Sequence, residues 1–326
     1  MAGDEGLKDA LMASTGAGRR TVGVPRLALA SLLVALTSLG AAALPANAAT
    51  GDVLREITAD QPSSCRPDTG VAFDGRELFV TCAFSSVIDV VRTSDGSLVR
   101  RITVPGVRGL SAASYDRLRD RLLVCGDGFS GNSNDFFVAR LVDRVTGASV
   151  RAFFTQGCPF GLSADASDDT VYASRNQSCT VNHYRPDGVL LSAHDICALG
   201  APDPSGLAVG TTQLFVGSFS GGVYAVSKDF SSALLLFPTN FSVSALACDD
   251  VTFAPRTALW AGTGTDRVLR AVEIPRGSCT VGGGPPRPTT KEQCKKGGWR
   301  NFGSTFRNQG DCVSFVATGG RNAPHS

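Results

Sequence analysis

From Thr50 to about Gly277 the apolar residues come in short runs separated by Gly, Asp, Ser and Pro, with no long stretch at helical period. Short runs rich in Val, Leu, Phe and Ala between turn residues mark strands. Five of them align as the opening strand of a unit: Gly70-Val-Ala-Phe73, Gly109-Leu-Ser-Ala-Ala113, Gly161-Leu-Ser-Ala-Asp165, Gly206-Leu-Ala-Val209 and Asp250-Val-Thr-Phe253. A turn later each is followed by a second run. These are Glu77-Leu-Phe-Val-Thr81, Arg121-Leu-Leu-Val-Cys125, Thr170-Val-Tyr-Ala-Ser174, Gln213-Leu-Phe-Val-Gly217 and Ala258-Leu-Trp-Ala-Gly262. Third and fourth strands read as hairpins around a Gly turn, as from Ile88-Asp-Val-Val91 to Leu98-Val-Arg-Arg101.

Four strands in roughly 40–45 residues is the period of a β-propeller blade. The fifth unit, however, has only three strands of its own. The missing one is supplied from the other end of the chain. Gly51-Asp-Val-Leu-Arg-Glu-Ile-Thr58 nearly repeats Gly96-Ser-Leu-Val-Arg-Arg-Ile-Thr103, the outer strand of the first unit. Pairing the first strand with the last removes the free edge and locks the ring. The expected fold is therefore all-β: a propeller of five four-stranded blades closed by an N-terminal outer strand. An open sandwich leaves the extra copy unexplained.

These runs resemble the YVTN and quinoprotein-like propeller repeats over residues 50–277. The resemblance implies a fold that serves many roles and names no single activity. Family members that bind pyrroloquinoline quinone carry a docking tryptophan on each blade, whereas Trp260 is the only tryptophan of the body. No quinone or other cofactor is expected.

Residues 1–48 have the form of an export signal. Arg19, Arg20 and Arg26 precede an apolar run from Leu27 to Leu44, and Pro45-Ala46-Asn47-Ala48 offers a small-x-small cleavage site after Ala48. Arg19-Arg20 leaves the choice between general and twin-arginine export open. Ten cysteines, an even number, all follow that site, as in proteins of oxidising compartments. Their places at strand ends of neighbouring blades favour Cys65–Cys82, Cys125–Cys158, Cys179–Cys197 and Cys248–Cys279, and the tail offers Cys294–Cys312, although sequence alone leaves the connectivity open. No C-x-x-C pair occurs, and His183, His194 and His325 are not at ligand spacing, so no metal centre is expected from motifs. Lys and Arg number 31 against 29 Asp and Glu. A balance this even gives no reason to expect nucleic acid as a partner, and cleavage leaves no stable membrane span.

Functional candidates come from geometry. The loops leading into the innermost strands of a propeller gather at one mouth of the axial channel. Here they carry Asp68, Arg108, Phe160, Asp203 and the pair Asp249-Asp250. Converging carboxylates can hold Ca²⁺, which takes six to eight oxygen ligands. They can also work as a general acid and base, with Arg108 orienting an anionic group. The same Asp residues make ordinary Asx turns, which need no ligand. With no Gly-x-Ser-x-Gly motif, the first expectation is a secreted binding or scaffold protein for a small ligand, glycan or protein. The alternative is an extracellular hydrolase or lyase using Asp68, Asp203, Asp249 and Asp250.

Beyond the propeller (49–279), residues 280–288 are a Gly/Pro linker, extended and without a core. Residues 289–326 form a small module too short to stand on its core alone. Its Lys291-Glu-Gln-Cys-Lys-Lys-Gly-Gly-Trp-Arg-Asn-Phe302 and Phe306-Arg-Asn-Gln-Gly-Asp-Cys-Val-Ser-Phe315 resemble a Cys-Trp-Cys module found at the C-termini of secreted actinobacterial proteins. Lys295, Lys296, Arg300 and Arg307 around Trp299 suggest contact with an anionic cell-envelope polymer.

Overall fold

The computed structural model describes residues 49–318 except 61–69, 83–84, 108, 127–136, 156–159, 175–177, 265, 280–287, 289 and 300–305. Five antiparallel four-stranded sheets stand around one axis. Blade 1 runs outward from β2 (Val71–Phe73) through β3 (Glu77–Thr81) and β4 (Val87–Arg92) to β5 (Leu98–Thr103). Blade 2 is β6 (Leu110–Asp116), β7 (Arg121–Gly126), β8 (Phe137–Val142) and β9 (Ser149–Thr155). Blade 3 follows as β10 (Leu162–Asp165), β11 (Thr170–Ser174), β12 (Thr180–Tyr184) and β13 (Leu190–Asp195). Blade 4 is β14 (Pro204–Val209), β15 (Gln213–Ser218), β16 (Val223–Ser227) and β17 (Ala233–Phe237). Blade 5 comprises β18 (Ala245–Asp249), β19 (Thr257–Gly262), β20 (Val268–Ile274) and, as its outer strand, β1 (Val53–Thr58).

The closure is the one the sequence repeat implies. In the β1–β20 pair Arg55 faces Ala271 and Ile57 faces Leu269, and Arg270 Nε holds Glu56 at 3.0 Å across the seam. Ile57 and Leu269 enter one buried cluster with Val71 and Leu78 of blade 1 and Trp260 of blade 5. The recurring turn glycine has a physical reason. At Gly96, φ is +76°, and an added Cβ would lie 2.3 Å from the Thr58 carbonyl oxygen, so the blade 1 turn docks against the closing strand only without a side chain.

All five second strands fall where the hydrophobic pattern puts them. At one register they carry Phe79, Leu123, Tyr172, Phe215 and Trp260, all buried. Burying a side chain of this size contributes about 1.5–3 kcal/mol, so this layer fastens blade to blade.

One inner strand departs from expectation. The fifth is Ala245–Asp249, five residues before the expected Asp250–Phe253. Asp249 Oδ1 accepts the amides of Val251 and Thr252 at 3.0 and 2.8 Å, so a turn begins where a strand was expected. Val-Thr-Phe has strand-like composition, but Phe253 is instead the turn's anchor, packed 5.8 Å from the Trp260 ring.

Three disulfides match the expected pairs: Cys179–Cys197, Cys248–Cys279 and Cys294–Cys312. Cys82 and Cys125 are disulfide-bonded too. Their expected partners Cys65 and Cys158 lie outside the described residues. In the C-terminal region α1 (Lys291–Cys294) and α2 (Gln309–Ala317) are joined by Cys294–Cys312. Cys294, Cys312, Phe306 and Phe315 form its core, with Trp299 packed against them. Among the described residues, no helix is long and apolar enough to cross a membrane.

Candidate functional site

Each innermost strand runs from one face of the ring, here the leading face, to the other, the trailing face. At the leading face the blades are laced together. Thr81 Oγ1 donates to the carbonyls of Gly70 and Ser111, Ser174 Oγ to that of Ser205 at 2.7 Å, and Ser205 Oγ to those of Gly217 and Val243. All three donors are buried. The packing there is equally close: a Cβ on Gly161 would lie 2.1 Å from the Ser205 carbonyl oxygen.

The residues singled out from the sequence do not form one cluster. Phe160 and Asp203 lie at the leading face. Phe160 meets Phe219 edge-on at 4.9 Å. Asp203, at φ +48°, accepts the Ser220 hydroxyl, and its carbonyl takes the Phe219 amide at 3.1 Å. It thereby shapes a turn. Asp249 ends the fifth inner strand and Asp250 follows it, so both lie at the trailing face. Asp68 and Arg108 are outside the described residues. The carboxylates expected to share a calcium ion or a substrate are thus divided between two faces.

The trailing face holds a cavity of about 160 Å³ to which all five inner strands contribute. Its inner ring is one residue per blade at matched register: Ala72, Ser114, Ser163, Ala208 and Ala247, opposite Phe79, Leu123, Tyr172, Phe215 and Trp260. The two serines are more than nine-tenths buried. Ser114 Oγ accepts the Ala164 amide at 3.1 Å, and Ser163 Oγ accepts the Val209 amide at 3.0 Å.

Charged groups surround this cavity in committed pairs. Asp165 takes Lys228 Nζ at 2.5 Å and the Ser167 amide and hydroxyl at 2.9 and 2.6 Å. Burial opposes its charge, but Lys228 and Ser167 prevail and hold its pKa below the usual 3.8. Asp249, fully buried, accepts Trp260 Nε1 at 2.8 Å besides its two backbone amides. Arg117 lines the cavity; burial lowers its pKa while Asp250 opposes that shift. Farther out, Arg119 joins Asp116 to Asp169, and Arg144 joins Asp74 to Asp120.

Sequence reading missed Arg117, Asp165, Lys228, Ser114 and Ser163. A signal was present. Asp116, Asp165 and Asp249 close three of the five inner strands, and the corrected register of β18 is what reveals the series. Alignment on strand starts looks at the opposite face.

Cys179, Asp195 and Cys197 come close enough to suggest a metal site among the described residues. The two sulfurs are bonded to each other and cannot serve as thiolate ligands. In the C-terminal module Lys295, Lys296 and Arg307 are exposed. Lys295 pairs with Glu292 at 3.1 Å, and Arg307 lies 3.8 Å from Asp311. Trp299 is partly engaged by the disulfide core, and Arg300 lies outside the described residues.

No protein-family model matches the chain, and no curated protein sequence matches it. Among solved structures it is similar to the glutaminyl cyclase of Myxococcus xanthus, at 12% identity and a TM-score of 0.47, covering 69% of this chain and 97% of that one. It is also similar to the PQQ-bound aldose sugar dehydrogenase of Streptomyces coelicolor, at 15% identity and 0.44, covering 68% and 98%. A chain of a nidogen/laminin complex matches at 12% identity and 0.43, covering 59% and 71%. At such identities and scores the likeness carries no function over.

Proposed function

We propose that this is an exported binding propeller that takes a small ligand into its trailing-face cavity and is kept near the cell surface by its C-terminal module. The single observation that favours binding over chemistry is the commitment of the mouth's carboxylates. Asp165 is spent on Lys228 and Ser167, and Asp249 on Trp260 and two amides. A general acid or base needs a site free within hydrogen-bond reach of its substrate. The hydrolase or lyase reading drew on Asp68, Asp203, Asp249 and Asp250 acting from one mouth, and Asp203 stands at the other face.

Export is supported by the disulfides, which suit an oxidising compartment, and by the signal-like pattern of residues 1–48. Kinship with the YVTN and quinoprotein-like repeats, and of residues 291–320 with the secreted Cys-Trp-Cys module, belongs to the same proposal. Exposed Lys295, Lys296 and Arg307 support the envelope contact, weakened by the acidic neighbours of two of them.

The test is isothermal titration of the mature protein and of Ala208→Leu, which fills the cavity from one wall. The probes are glucose, myo-inositol, acetate and phosphate. Binding of at least one probe, lost in Ala208→Leu, is expected. Binding of none, or binding indifferent to the filled cavity, removes the proposal, and conversion of a probe to product restores the enzyme reading.

A further inference from the structure

We infer that the ligand of this cavity is an uncharged polyhydroxylated molecule, a single sugar unit or polyol, received by the hydroxyls of Ser114 and Ser163. The inference rests on the binding role proposed above and goes on to name the ligand's chemistry.

The inner ring is where the choice of residue is telling. Three blades place alanine there, Ala72, Ala208 and Ala247, so the packing against Phe79, Phe215 and Trp260 needs only a methyl group. Blades 2 and 3, neighbours in the ring, place serine instead. Each serine oxygen accepts one backbone amide from the next blade. That contact uses a lone pair and leaves the O–H, for which the described residues offer no acceptor. Two buried donors, one blade apart, therefore face the cavity. A buried donor without an acceptor costs on the order of 1–3 kcal/mol, so the cavity favours an occupant that brings oxygen acceptors to this wall.

Charge selects among such occupants. The lining holds one cation, Arg117, and one carboxylate, Asp165, the latter already paired with Lys228. A small anion could accept from both serines, but around this face five aspartates, Asp116, Asp165, Asp169, Asp249 and Asp250, stand against the three cations Arg117, Arg119 and Lys228 that lie beside them. A cation would meet Arg117 and leave the serine donors unmatched. A neutral polyol avoids both penalties: its oxygens accept from Ser114 and Ser163, and its hydroxyls donate to remaining lone pairs. The apolar wall, Val71, Phe73 and Leu246, suits the C–H face of a sugar ring.

The experiment compares the mature protein with Ser114→Ala, Ser163→Ala and the double variant by titration calorimetry, alongside thermal melting. Glucose and myo-inositol are expected to bind and acetate and phosphate not to. Each single variant should weaken sugar or polyol binding about fivefold to tenfold, the loss of roughly one hydrogen bond. A purely blade-joining role for the serines would move the melting temperature and leave the affinity unchanged, and that outcome overturns the inference. Acetate or phosphate binding in place of the sugars overturns it while the binding role survives. If no probe binds, the occupant is water and both readings fall. Selectivity of the unaltered protein decides the question even if a variant fails to fold.

Discussion

The two faces of this ring are built from the same strands and the same small hydroxyl residues, yet the hydroxyls are turned to opposite use. At the leading face Thr81, Ser174 and Ser205 donate to carbonyls, mostly across blade boundaries, and their hydrogens are spent. At the trailing face Ser114 and Ser163 accept amides, and their hydrogens are left for the cavity. The direction of a hydrogen bond, more than the residue that makes it, separates a seam from a receptive mouth. Packing agrees. The leading face leaves no room for a Cβ at Gly161, while the trailing face encloses about 160 Å³.

The largest effect should come from removing what both faces share. Deleting residues 49–60 exposes the edge of β20 and strips Ile57 from the core. A loss of several kcal/mol is expected from a whole strand's pairing and packing, read as a collapse of the melting temperature. An unchanged melt would mean that β1 does not close the ring.

Next, the faces should differ in their tolerance of bulk. Gly161→Val drives a side chain into the Ser205 backbone and should cost about 3 kcal/mol or more, since overpacking beside rigid backbone is not relieved by repacking. Ala208→Leu also meets packed neighbours, Phe215 and Leu246, but has the cavity beside it to expand into and should cost about 1–2 kcal/mol. Equal costs in denaturant melts would erase the contrast.

Carboxylates sharpen it further. Asp249→Ala orphans the Trp260 indole N–H and two amides, all buried or partly so, for a loss of about 2–4 kcal/mol. Asp203→Ala, at an exposed turn with φ +48°, should cost about 1 kcal/mol, because alanine tolerates the left-handed region less well than aspartate.

The smallest effect is the most diagnostic of charge. Asp165 has its pKa lowered below 3.8, so the folded state binds its proton less readily than the unfolded one. Its contribution is complete above about pH 5 and is lost as pH falls through the depressed value. Asp165→Asn should flatten this acid limb in melts between about pH 2 and 5. A limb unchanged by the substitution would mean that the Lys228 pair contributes nothing.

How much of this was legible in the sequence follows the same division. The second strands were readable because each must bury a bulky residue at one register, and Phe79, Leu123, Tyr172, Phe215 and Trp260 do so. The closing strand was readable because a repeat that pairs the same way keeps the same residues. Cysteine pairs at short separation were readable too, as in Cys179–Cys197. The fifth inner strand was not, because Val251-Thr-Phe253 has a strand's composition and only the Asp249 side chain turns it into a corner. That five-residue slip puts Asp249 and Asp250 at the face opposite the one expected and parts them from Asp203. The serines were in plain view in Gly161-Leu-Ser-Ala and in Ser111-Ala-Ala-Ser, but their meaning depends on which lone pair is taken, which no pattern of residue types encodes.

The central claim is that the trailing mouth receives the ligand and the leading face does not. A crystal structure of the mature protein grown with glucose or myo-inositol tests it most directly. The account predicts the sugar or polyol ordered in the cavity, with oxygens within hydrogen-bond distance of Ser114 Oγ and Ser163 Oγ. A probe seated instead beside Phe160 and Phe219 at the leading face, or water alone between the two serines, would contradict it.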